Sequence, residues 1–154
     1  MDQLAIRTTV LWIHALSGIT WVGASAAFVI AAVATGLSSD EGVAFARRVA
    51  PKINRLELGA ALTLVTTGIV NLFLAAQVRH FRFSSAFSAI LSVKILLFAA
   101  MLIALSFSFR AERMLRSNEP AVASAATGRI VGLFTLIIAM GGVALGLGLW
   151  LLGS

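Results

Sequence analysis

No cysteine occurs anywhere in the 154 residues. That absence excludes disulfides, a thiol nucleophile, iron–sulfur clusters and thiolate zinc sites. Charge is scarce too. Asp, Glu, Lys and Arg make up 12% of the chain while 60% is hydrophobic, whereas a soluble domain carries about 25% charged residues. The mean hydropathy of +1.00 points the same way. Two prolines and thirteen glycines are too few for a fibrous or low-complexity chain. The formal charge of +6 would hint at nucleic acid in a soluble protein. Here the basic residues fall between long apolar runs, where they read as topology signals and contacts for anionic headgroups, so the expected partner is the lipid bilayer and no nucleic acid.

What the chain has in quantity is long uncharged sequence. No charged residue lies between Thr8 and Ser39, longer than the roughly 20 residues that span a hydrocarbon core. Further runs extend from Leu58 to Val78, from Phe83 to Phe109 with Lys94 as the one interruption, and from Ile130 to Ser154. None shows the period-two alternation of a membrane barrel. The expected fold is an all-α transmembrane four-helix bundle in one domain, with helices near 8–36, 56–79, 84–110 and 128–152. A short interfacial helix, interrupted by Pro51, is expected between the first two spans. Thr8–Val22 followed by Ala24-Ser25-Ala26 imitates a signal peptide, but the preceding tail is not basic and the apolar run continues past Ala26.

Lys and Arg set the expected orientation. Arg47, Arg48, Lys52 and Arg55 lie in the first connection and Arg110, Arg113, Arg116 and Arg129 in the third, against Arg7, Arg79 and Arg82 elsewhere. The positive-inside rule then places the connections 37–55 and 110–129 in the cytoplasm, with the N- and C-termini outside.

Ionisable residues inside a span are costly and must face the bundle. His14, Asn71 and Lys94 come from three different helices and are expected at one depth, near the external side, with His80 in the adjoining turn. Each has an ordinary structural use: a packed histidine on a backbone carbonyl, interhelical glue, a snorkelling anchor and a solvated turn residue. His14, Gly18 and Trp21 recur at i, i+4 and i+7 and form one stripe. Such a stripe suits a haem seated against a helix, with an imidazole on iron, a glycine admitting the porphyrin face and an indole walling the pocket. Gly142 and Gly146 in the last helix have the spacing of close helix packing, or else leave room for a flat ligand at the depth of His14.

The stretch His14-Ala-Leu-Ser-Gly-Ile-Thr-Trp21-Val-Gly23 resembles the first-helix signature of several bacterial inner-membrane families. These are the copper resistance D family, the membrane domain of membrane-bound urate oxidases, and the HemJ-type protoporphyrinogen oxidases. Ser92-Val-Lys94-Ile-Leu-Leu-Phe-Ala is similar to the lysine-containing helix of the first and last of them. The two helices that carry the resemblance make up about a third of the chain, and it implies a four-helix unit binding haem b in a bacterial inner membrane. It implies His14 as the axial ligand, hence the metal-binding residue, and Lys94 as a pocket residue or second ligand. The chain departs from the HemJ type after Gly23, where Ala24-Ser25-Ala26-Ala27 replaces a proline, arginine and histidine pattern, and no cytochrome c motif follows.

The expected function is therefore a membrane haem b protein serving electron transfer, with a membrane redox partner, or acting as a small haem-dependent oxidoreductase. Two alternatives come from other classes. One is a non-catalytic membrane subunit of a larger complex, and the other is copper handling, which favours Cys, Met and His that this chain has in short supply.

Overall fold

The computed structural model of the chain describes residues 3–78 and 84–153. It consists of α1 (Gln3–Thr35), α2 (Asp40–Val78), α3 (Ser85–Met114) and α4 (Pro120–Gly153). All four are long and apolar enough to cross a bilayer, and no strand occurs among the described residues. The chain is an all-α, multi-pass membrane four-helix bundle. α1 packs on α2 and α4, while α3 packs on α4 and more thinly on α2. α1 and α3 stand diagonally opposed and meet through long side chains such as Trp21 and Phe98.

Two helices run further than their apolar stretches. The interfacial helix and the second span are one rod, continuous through Pro51. A proline there removes one backbone bond and crowds the carbonyl of residue 47. Ala46, Ala50 and Asn54 are nevertheless fully buried along one face, and packing along that face holds the rod together. At 1.5 Å per residue, the 39 residues of α2 reach about 58 Å against a hydrocarbon core of about 30 Å. α4 starts at Pro120, because a proline in the first helical position has no intrahelical bond to lose.

The α1–α2 connection is a tight turn. Gly36 adopts φ 83°, the left-handed conformation that ends helices and suits glycine. Ser39 caps α2 by accepting from the Gly42 amide at 3.0 Å while its hydroxyl donates to the Thr35 and Gly36 carbonyls. Asp40 and Glu41 occupy the first turn of α2, where the helix dipole favours acids. Arg47 then reaches across to the end of α3, donating to the Leu115 carbonyl at 2.6 Å and the Ser117 carbonyl at 2.8 Å. This contact puts the first and third connections at one end of the bundle, called here the basic end.

The core occupies only the half of the bundle nearer that end. Trp21, Phe28 and Ala32 of α1, Leu105 of α3, and Ile130, Phe134 and Ile137 of α4 are all buried. Phe28 meets Phe134 edge-on with centroids 5.0 Å apart. Trp21, edge-on to Phe98 at 5.7 Å and 89°, closes the core. Beyond it, away from the basic end, Thr67 and Ala76 are the only buried positions among the described residues. The other described residues of that half are half-exposed or exposed.

Gly141 sits at the edge of the core, against Val22 of α1 and Met101 of α3. A Cβ at this position would overlap Cγ2 of Val22 and stand 3.5 Å from Cε of Met101. Val22 is β-branched and has little rotamer freedom in a helix. Gly141→Ala is therefore expected to cost about 1–3 kcal/mol of overpacking, read as a lower unfolding midpoint in detergent. Adding Val22→Ala in the same chain should recover most of the loss. An unchanged midpoint in the single variant would contradict this close approach of α1 and α4.

Candidate functional site

His14 projects from α1 toward α2. Its Nδ1 lies 2.9 Å from Thr67 Oγ1, and Thr67 Oγ1 itself lies 2.6 Å from the Thr63 carbonyl one turn earlier. A hydroxyl has one proton, and that short bond uses it. The His14–Thr67 bond is then donated by Nδ1–H, and Nε2 keeps its lone pair. A histidine oriented through one ring nitrogen is arranged as metal-ligating histidines are. The imidazole also lies within hydrogen-bonding reach of the Leu64 backbone, and Nε2 is not among the buried polar atoms left without a partner. The ring lies flat enough on α2 that a Cβ at Gly68 would stand 3.3 Å from its Cε1. Position 68 must be small for the ring to sit there.

Lys94 enters the same region from α3. Its ammonium lies 3.1 Å from where a Gly148 Cβ would be, so a missing side chain on α4 makes room for it. It is near enough to His14 for the two to interact electrostatically. The half-buried Lys94 and Asn71 form no hydrogen bond or ion pair among the described residues, and their polar atoms are not sealed off. Asn71 stands one turn beyond Thr67 and Gly68 on α2, on their face. The structure thus brings together, from three helices at one end of the bundle, an imidazole lone pair, an ammonium and a carboxamide. Among the described residues no group of three His, Cys, Asp or Glu side chains converges.

The other expected residues lie elsewhere. Gly18 has Leu64 and Leu145 3.9 Å from where its Cβ would be, an ordinary packing distance. Trp21 is fully buried in the core. Gly142 and Gly146 are exposed, with nothing within 4 Å of a Cβ built on either. They face away from the bundle. His80 falls outside the described residues. The glycines that shape the site are Gly68 and Gly148, and the residue that orients the imidazole is Thr67. Only a helix-to-helix register, absent from a linear pattern, would have revealed Gly68. A groove of about 390 Å³ between α1 and α2, lined by Ile13, Leu16, Thr20, Leu56 and others, opens on the bundle's outer surface and includes none of the site residues.

A second polar group lies in the packed half. Glu57 of α2 is fully buried and accepts from the Ser25 hydroxyl of α1. One turn nearer the basic end, Asn54 accepts from Ser108 at 2.8 Å and donates to Glu112 at 2.8 Å. No family model, curated protein or solved structure matches the chain.

Proposed function

We propose that the protein is an integral membrane haem b protein of a bacterial cytoplasmic membrane, serving one-electron transfer or a small haem-dependent oxidation. The basic end faces the cytoplasm in this reading, because Lys and Arg concentrate there. The observation that supports it is the His14 imidazole, held through Nδ1 by Thr67 of another helix and close enough to Lys94 to feel its charge.

The residues present suit such a group in their donors. His14 would supply the axial nitrogen. The Lys94 ammonium would pair with a propionate, and the Asn71 amide could donate to the other. Bound there, haem would supply a metal cycling between ferric and ferrous states. Thr67 keeps the imidazole in one tautomer, and Leu64 and Leu145 keep the space beside it apolar. With His14 the one histidine among the described residues, a five-coordinate or mixed-ligand spectrum is expected.

Purification after expression with haem supplied tests this. A Soret band is expected that His14→Ala removes and that Thr67→Val weakens. No band, or one indifferent to His14→Ala, ends the reading.

A second reading is favoured by α4. Gly128, Gly132, Thr135, Ala139, Gly142 and Gly146 are all exposed and alternate steps of four and three, a left-handed helix seam of small residues. A membrane subunit packing this seam against another helix would co-purify with a stoichiometric partner and show no Soret band.

A further inference from the structure

Glu57 is the one fully buried carboxyl among the described residues. Ser25 occupies its Oε1. The Trp21 indole lies beside the same carboxyl, yet neither Trp21 Nε1 nor Glu57 Oε2 completes a hydrogen bond. Among the described residues no lysine, arginine or histidine pairs with it. The groups facing it can be enumerated by helix. α1 offers Ser25 and Trp21. Asn54 lies one turn away on α2, and α3 contributes Ser108 and Glu112. The sole titratable residue on α4 is Arg129, whose guanidinium is turned to Met114 at 3.8 Å. An ionised carboxylate without a cation is very costly in such surroundings, and an intramembrane acid is by default a functional group.

The polar neighbours are not scattered. Arg116, with a side chain 78% exposed, stands 4.0 Å from Glu112, whose side chain is 13% exposed. Glu112 accepts from Asn54, and Asn54 holds Ser108. Asn54 and Glu57 share one face of α2, three residues apart. The polar strip thus leads from the aqueous basic end to Glu57 and stops there, because Trp21 and Phe98 close the core beyond it.

We infer that Glu57 is a proton-binding site inside the bundle, filled from the basic end along the strip lined by Glu112, Asn54 and Ser108. On filling, a hydronium at the basic end gives up one proton and leaves as water, and one O–H bond forms at Glu57 Oε2. No electron moves and no other co-reactant is needed. The dead end at Trp21 makes this a site that loads and unloads on one side of the membrane, not a channel through it.

Infrared spectroscopy of the full chain in lipid nanodiscs, with no haem supplied, tests the inference independently of any role for His14. A carbonyl stretch of a protonated carboxyl is expected that shifts in D2O and vanishes in Glu57→Gln. Glu112→Gln keeps the acceptor that Asn54 needs but removes the titrating group at the entrance. It should leave the band and slow its exchange with D2O several-fold. If Glu57→Gln does not fold, a changed band position in Glu57→Asp decides the assignment. Absence of the band, a band that survives Glu57→Gln or is unmoved in Glu57→Asp, or exchange at an unchanged rate in Glu112→Gln overturns it.

Discussion

Gly42→Ala is expected to break the α1–α2 turn, at a cost near the top of the roughly 1–3 kcal/mol that overpacking exacts. A Cβ at this buried glycine would overlap the Gly36 carbonyl oxygen and come within 3.3 Å of Ser39 Oγ. The obstruction is backbone, so no rotamer change relieves it. Gly36 is itself committed to φ 83°, and Ser39 is tied to both sides of the turn. Relief requires moving the start of α2, and with it Arg47 and its hold on the end of α3. Gly59 supplies the internal control. It lies in the same helix with nothing within 4 Å of a Cβ, so Gly59→Ala should stabilise the chain by up to about 1 kcal/mol through helix propensity alone. The two variants are compared by unfolding in graded sodium dodecyl sulfate, followed by circular dichroism. Shifts of the same sign and size would refute the turn as described.

Gly68→Leu is expected to abolish haem binding while leaving the bundle folded. The His14 ring rests on this position, with Cε1 at 3.3 Å and Nδ1 at 3.8 Å from an added Cβ. A leucine would push the imidazole off Thr67, break the 2.9 Å bond and leave Nε2 misdirected. Positioning of this kind is often lost with displacements of about 1 Å. Gly68→Ala asks the ring to give by only a few tenths of an ångström, so it should retain a weakened Soret band. The packed half of the bundle lies on the far side of Trp21, and circular dichroism should show helicity unchanged in both variants. A full Soret band in a folded Gly68→Leu protein would mean that His14 is not held where haem needs it.

Much of the bundle was legible in the linear pattern. Spans of more than twenty uncharged residues admit only helices or closed barrels in lipid, and the absence of alternation leaves helices. Helix ends were harder to read. Pro51 marks a break by local rules, yet α2 passes through it because Ala46, Ala50 and Asn54 pack along one face. Hydropathy also missed the first turns of α4, where Pro120 starts a helix well before the apolar run.

The candidate site was legible in part. His14, Asn71 and Lys94 stood out because polar groups in a span need a reason, and depth alone places them at one end. Their surroundings were not readable. A glycine in a membrane helix is equally ordinary beside a ligand, against a neighbour or facing lipid, so Gly142 and Gly146 looked as good as Gly68 and Gly148. Nor does the linear pattern show the bond between Glu57 and Ser25, which spans 32 residues of sequence.

The sequence by itself determined the number of spans, the helical class and the short list of polar residues that must point inward. Each follows from one-dimensional quantities: run length, periodicity and the cost of charge in hydrocarbon. Only the tertiary structure decided which glycine lies under the imidazole, which hydroxyl fixes its tautomer, and that the bundle is packed at one end and more exposed at the other. Those depend on the rotation and register of each helix about its own axis, and a uniformly apolar helix carries too little contrast between its faces to set them from its own sequence.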